Sequence, residues 1–311
     1  MTLTQLEYIV ALDTYRHFVL ASEKCFVTQP TLSMQIQKLE EELGVKIFDR
    51  TKQPVIPTEI GTALIAQARI TLHEAQTIKQ IINDQKDTLV GELRIGIIPT
   101  LAPYLLPPLY KTMRAKYPKL NLVIKELITE DVIRELKNNR LDCGIVVTPL
   151  KDPSIKEDVL FYEELFLYVS KKNALSAKKY VLAHEIDPNQ LWLLEEGHCF
   201  RSQVLNLCEL RKSSDFHFKY ETGNIETLKR MVDKSDGLTI LPELAVMEFT
   251  KAQLKLVKRF KQPSPSREVS LVTHRNHIKT KLIKTLKEEI IHVVPAKMQQ
   301  LQHKKVVEIT Y

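Results

Sequence analysis

The sequence predicts a mixed α/β chain of two unlike parts joined by a long helix, and three observations carry that prediction. The first ninety residues repeat apolar positions at helical spacing, with no strong strand until the region around Ile47 to Ile56. From Thr58 to about Lys86 one helical pattern runs without a break. After Gly91 the texture changes to alternating strand and helix patterns. A length of 311 residues with 44% hydrophobic side chains suffices for two or more domains with sizeable cores.

Composition narrows the function classes. The opening "MTLTQLEYIVAL" lacks a basic leader region and carries Glu7 inside its apolar run, and no later segment is apolar for eighteen residues. The chain is therefore expected to be neither secreted nor membrane-spanning. Cys25, Cys143, Cys199 and Cys208 include no CxxC pair, so they form neither a disulfide framework nor a zinc site, and a reducing cytoplasm fits them best. The net charge is +7, yet residues 1–60 hold six Lys/Arg against eight Asp/Glu, while residues 251–311 hold fourteen against four. Bulk charge thus fails to mark a nucleic-acid site.

In chain order, Leu6, Ile9, Val10 and Leu12 give a first helix, and Phe18 to Lys24 a short second one. The turn "CFVTQP" follows, in which Thr28 can cap the next helix while Pro30 is tolerated in its first turn. Leu32, Ile36, Leu39 and Leu43 then repeat at helical spacing until Gly44 ends the element. Two helices, a turn and a third helix make a helix-turn-helix. The outward face of the third helix offers Thr28, Gln29, Thr31, Ser33, Gln35 and Lys38, with no carboxylate before Glu40. A merely solvated face favours Lys and Glu, whereas short amides and hydroxyls suit base edges and phosphates. "IFDRTKQPVIPT" reads as a hairpin wing, with Arg50, Thr51 and Lys52 placed to grip phosphates. The expected DNA contacts are Gln29, Pro30, Thr31, Ser33, Gln35, Lys38, Arg50 and Thr51.

The long helix keeps an approximate heptad seam through Ile60, Leu64, Thr71, Ala75, Ile78 and Ile82, and reads as a dimerising linker. Beyond it, "GELRIGIIP", "NLVIKEL" and "LDCGIVV" read as strands, with helices over Leu101–Lys116 and Glu130–Asn138 between them. This βαβαβ order predicts a parallel sheet covered by helices. Further strands are expected at Phe161–Ser170, Leu191–Leu194, Leu238–Leu241 and Val269–Thr273, which points to a second α/β lobe. No glycine-rich phosphate loop, metal-ligand cluster or Gly-x-Ser-x-Gly turn is present. Residues 296–311 read as a loosely attached polar tail.

The stretch "EEGHCFRSQVLNLCEL" sets Cys199 and Cys208 nine positions apart in an amphipathic helical pattern. Nine helical steps span about 13 Å, and a disulfide needs Cα atoms within about 7 Å. The pair either stays as two packed thiols or bonds only after the segment between unwinds. Gly197 and His198 mark a helix entry, so the Cys199 thiol would lie near a helix N-terminus with Arg201 close by, and both features favour thiolate. Cys208, between Leu207 and Leu210, has no such help and reads as buried.

Through "FVTQPTLSMQIQKLEEELGVKIFDR", the linker helix and the domain that follows, nearly the whole chain resembles the LysR-type transcriptional regulators. "GIIPTLAPYLLP", "RLDCGIVV", "LLEEGHCFRSQVLNLC", "IETLKRMV" and "GLTILPELAV" resemble the peroxide-sensing members. The resemblance implies a winged helix-turn-helix over 1–58, a linker helix over 59–90 and a two-lobed, periplasmic-binding-protein-like α/β regulatory domain over 91–295, with the tail at 296–311. It implies a homotetramer that binds double-stranded promoter DNA, contacts RNA polymerase, needs no cofactor or metal and is no enzyme. Hydrogen peroxide would oxidise Cys199 to a sulfenic acid that Cys208 captures as a disulfide. Thr100 in "IIPT" and Thr129 in "ELITED" would hold peroxide, while His198 and Arg267 in "PSREVSLV" would support the sulfur. A small metabolite as the signal leaves the cysteine pair unexplained, and a thiol peroxidase has no use for a helix-turn-helix.

Overall fold

The structure is a computed structural model that describes residues 1–84, 89–208, 223–275, 277, 279–301 and 304–309. It divides into two compact units, Met1–Asp87 and Thr88–Tyr311.

In the first unit, α1 (Leu3–Tyr15) starts at a reciprocal cap in which Gln5 N–H donates to Thr2 Oγ1 at 3.2 Å and Thr2 N–H donates to Gln5 Oε1 at 2.9 Å. After α2 (Phe18–Lys24), α3 (Gln29–Leu43) begins at Thr28 and stops at Gly44, whose φ of 67° lies in the left-handed region. Leu32, Ile36 and Leu39 bury its inner face against Ile9 and Leu12 of α1. The wing is a minimal antiparallel pair, β1 (Phe48–Asp49) and β2 (Ile56–Pro57). Two such short strands are marginal alone, and buried Glu40 holds the first of them by accepting from the backbone N–H groups of Ile47 at 2.8 Å and Phe48 at 3.2 Å. The long helix α4 (Glu59–Asp84) buries Ile65 and Ala68 in this core and ties Arg69 to Asp13 at 2.7 Å. Ile60 and Ile78 of the heptad seam are exposed instead, and the side chain of Ile82 lies outside the described residues.

The second unit opens with β3 (Gly91–Ile97), α5 (Ala102–Lys116), β4 (Leu120–Glu126), α6 (Thr129–Lys137) and β5 (Cys143–Thr148). The three strands lie parallel, as the sequence pattern predicts, and the structure sets their order as β4-β3-β5. Then come β6 (Ile155–Val169), β7 (Tyr180–Val181), α7 (Cys199–Leu207), α8 (Ile225–Lys234), β8 (Leu238–Pro242), α9 (Glu243–Met247), α10 (Lys251–Leu254), β9 (Val257–Phe260), β10 (Ser264–His274), α11 (Thr280–Val293) and β11 (Lys304–Val306). The long strand β6 makes the two-lobed form. Its first part, Ile155 to Glu164, pairs antiparallel with β10, which pairs on its other side with β5. Its last part, Leu165 to Val169, changes partners to β8 and β9.

Two expectations are corrected. Leu191–Leu194 is no strand; Leu191 makes a single bridge to Leu238. The C-terminal residues are no loose tail, because β11 adds to β10 in parallel and Met298 and Ile309 are buried. Their Lys and Gln content masked an extended segment whose backbone finds an unpaired stretch of strand edge.

Two glycines set the seat of α6. Gly96 and Gly144 are register partners on β3 and β5, and a Cβ on either would meet Val132 of α6, at 3.1 Å from Gly96 and 2.4 Å from Gly144. Their bare backbone lets α6 approach the sheet and fixes where its first residue, Thr129, stands. Gly144→Ala is therefore expected to push α6 outward and destabilise the second unit by about 1–3 kcal/mol, read as a lowered midpoint in urea unfolding. An unchanged midpoint would show that Val132 yields freely.

Candidate functional site

On the first unit, Gln29, Pro30 and Lys38 project from α3 into solvent. The other expected contacts are partly engaged within the protein. The Thr31 hydroxyl lies 2.8 Å from that of Thr28, Gln35 Oε1 accepts from Gln5 Nε2 at 3.3 Å, and Ser33 Oγ accepts from Arg50 Nη1 at 3.3 Å. Arg50 also pairs with Glu40 at 3.2 Å and lies over the Phe18 ring at 5.5 Å. Its guanidinium is thus braced on the body of the domain as it reaches past the wing. Thr51 closes the turn by donating its hydroxyl to Asp49 Oδ1 at 2.6 Å.

On the second unit, four of the six residues named for the peroxide chemistry converge. Thr100 follows β3 and Thr129 opens α6 after β4, so both sit beyond the carboxyl ends of adjacent parallel strands, where open α/β sheets form their crevices. Both are 2% exposed. Arg267 on β10 is fully buried and donates from Nη1 to Thr100 Oγ1 at 2.8 Å. Cys199 is the first residue of α7, and its thiol is buried next to Thr129, within reach of the charge of Arg267 and of the first backbone N–H groups of the helix. Among the described residues the Thr129 hydroxyl finds no partner besides the Cys199 sulfur.

Sequence reasoning missed the residue that holds this arrangement. Glu163 of β6 stands opposite Arg267 in the strand register. Its Oε2 accepts from Arg267 Nε at 2.7 Å and lies 2.7 Å from Nη2, with both side chains fully buried. Glu163 Oε1 accepts from Leu244 N–H at 2.8 Å. The signal was present: "FYEELFLYV" sets two adjacent carboxylates in an otherwise apolar strand, and alternation forces one of them inward. Burial pushes the Glu163 carboxyl up, against the opposing pull of Arg267 and the Leu244 N–H.

Burial raises the pKa of the Cys199 thiol above its ordinary value, outweighing Thr129, Arg267 and the two backbone N–H groups, which all act to lower it. Arg201 gives no help to the sulfur, since its guanidinium donates to the Leu194 carbonyl at 2.7 Å. His198 is buried, but its Nε2 faces Glu195 Oε1 at 3.4 Å and no hydrogen bond among the described residues joins it to the sulfur. Cys208 caps the far end of α7, buried, with its thiol pushed up to about 12 by desolvation. All four cysteines are free. Among the described residues no group of His, Cys, Asp and Glu could hold a metal ion, and no helix is long and apolar enough to cross a membrane.

Two outcomes follow from this geometry. Because the thiolate is the nucleophile, the rate at which peroxide consumes the Cys199 thiol should climb with pH without levelling off below the ordinary thiol range. The same raised pKa means that the unfolded chain releases this proton first, so the thiol's contribution to stability is lost as pH rises through the folded value. Stopped-flow rates at constant ionic strength between pH 6 and 10, as a rough window, would show a plateau near neutrality if burial does not dominate. For the ion pair, Arg267→Met strands a buried carboxylate and should cost about 3–5 kcal/mol, most of it regained when Glu163→Leu is added. Equal losses in the single and double variants, by chemical denaturation, would mean that shape rather than charge is at stake.

Residues 3–62 match the bacterial regulatory helix-turn-helix protein family of LysR type, and residues 86–294 match the LysR substrate binding domain. The chain is 36% identical over 273 residues to a hydrogen peroxide-inducible genes activator of Haemophilus influenzae, covering 88% of this chain and 90% of the relative. It is 37% identical to the DNA-binding transcriptional dual regulator OxyR of Escherichia coli, covering 88% and 89%. A full-length OxyR variant from Pseudomonas aeruginosa superposes with a TM-score of 0.83 at 33% identity, covering 97% and 98%. The Haemophilus relative is a genes activator and the Escherichia coli relative a transcriptional regulator. The chain belongs to the LysR family of bacterial transcriptional regulators and is similar over most of its length to the OxyR-type, hydrogen-peroxide-inducible activators within it.

Proposed function

We propose that this regulator senses hydrogen peroxide through a reversible Cys199–Cys208 disulfide and so controls genes of oxidative-stress defence. One observation carries the reading: a buried thiol at the start of a nine-residue helix, beside Thr129 and the Arg267–Thr100 contact, with a second thiol capping the other end of the same helix. In the first step the Cys199 sulfur attacks one peroxide oxygen, the O–O bond breaks, and sulfenic acid and water form. In the second step Cys208 attacks that sulfur, the S–O bond breaks, and the oxygen leaves as water as the disulfide closes. Peroxide thus receives the two electrons that the thiol pair gives up.

Thr100 and Thr129 would hold the peroxide oxygens, and Arg267 would favour the departing proton and the charge that develops on oxygen. His198 would shape the wall near the sulfur. DNA recognition is assigned to Gln29, Pro30, Thr31, Ser33, Gln35 and Lys38, with Arg50 and Thr51 at the phosphates. The exposed Ile60 and Ile78 of α4 would help to pair two chains, and two such pairs would give the homotetramer that meets promoter DNA and RNA polymerase in the cytoplasm.

Footprinting on a candidate promoter, with reduced and peroxide-treated protein side by side, tests the reading. The protected region should shift on oxidation, and Cys199→Ser should keep the reduced footprint under both conditions. Cys208→Ser should show one added oxygen on Cys199 by mass spectrometry, in place of the two hydrogens lost in the parent. A peroxide response that persists in Cys199→Ser would sink the mechanism.

A further inference from the structure

The C-terminal residues hold the segment between the two cysteines at two points. Gln203 Nε2 donates to the Val307 carbonyl at 3.2 Å, and Asn206 Nδ2 donates to the Glu308 carbonyl at 2.8 Å. Both donors belong to α7 and are three positions apart, so they share one helix face. Gln203 is fully buried. On its other side the tail is fastened to the sheet: Ser264, Pro265 and Ser266 of β10 pair with Lys304, Lys305 and Val306 of β11, and Val307 N–H donates to the Ser266 carbonyl at 2.8 Å. Ser266 immediately precedes Arg267. The tail therefore joins the strand that carries Arg267 to the helix that carries Cys199.

We propose that the C-terminal segment Lys304–Ile309 is a clasp on the redox helix, which slows the unwinding of α7 and is released when the disulfide forms. The inference rests on the Cys199–Cys208 switch. Bringing the two sulfurs together requires the turns between them to unwind, and the three-residue spacing that aims Gln203 and Asn206 at two nearby carbonyls exists only in the helix. Both bonds are lost in one event. Leu205 and Leu207, on the same helix, line a cleft of about 830 Å³ together with Lys305, Val306, Val307 and Glu308, so the tail borders the space beside the unwinding chain.

The test uses the full chain, reduced and then mixed with hydrogen peroxide, with samples alkylated at intervals and weighed by mass spectrometry. This separates loss of the Cys199 thiol from closure of the disulfide. Gln203→Met, which keeps volume without the donor, and Asn206→Ala should each speed closure by about 2- to 10-fold, the range for one net hydrogen bond. Thiol loss should keep the parent rate. Closure at or below the parent rate in both variants, while the parent itself forms the disulfide, overturns the clasp alone. A parent that loses its thiol without forming the disulfide overturns the switch reading and the clasp with it. A second measurement needs no variant: hydrogen exchange at the amides of 304–309 should quicken on oxidation of the parent, and unchanged protection there also overturns the proposal.

Discussion

Arg267 and Glu163 face each other across β10 and β6 at the point where β6 leaves one lobe's strands for the other's. Burying two ions costs several kcal/mol each unless the remaining donors and acceptors are met, and here they are. The guanidinium reaches Thr100 as well as the carboxylate, the carboxylate also takes the Leu244 N–H, and the ring of Phe200 lies 5.2 Å from the guanidinium carbon. The loop after β3, the start of α9 and the first turn of α7 are thereby referred to one pair of side chains. A shift in that pair would reach Thr100, Phe200 and Cys199 together.

The pair also moderates the chemistry beside it. Burial raises the Cys199 thiol against the pull of Arg267, which Glu163 pairs at 2.7 Å. What remains are groups whose help grows as the proton leaves: Thr129, the first N–H groups of α7, and Arg267. The site is arranged for a change of charge more than for a resting anion. The same local economy holds for the helix, since nine residues are too few for stability by propensity alone. α7 persists through its buried Phe200, Gln203 and Val204 and its bonds to the tail.

The first unit follows a similar logic at smaller scale. Glu40 is a buried carboxylate at the inner end of α3, and its acceptors take up the otherwise unpaired N–H groups of the wing while Arg50 braces against it. The helix α3 and the wing are thus set relative to one another through Glu40 and Arg50. The two expected phosphate and base contacts, Arg50 and Ser33, touch each other in the free protein. Their engagement with a ligand would have to compete with that contact.

Periodicity and punctuation by themselves determined the helix-turn-helix, its stop at Gly44, the long helix, and the parallel run of β3, β4 and β5 though not their order, because each depends on residues close in sequence. Thr100, Thr129, His198, Arg267 and the roles of the cysteines came from resemblance. Only the tertiary structure paired Glu163 with Arg267, raised the Cys199 thiol by burial, and turned the polar tail into a strand. Desolvation is a property of everything packed around a group, and an edge strand owes its place to free backbone donors and acceptors elsewhere. Neither is written in the residues of the segment that feels it.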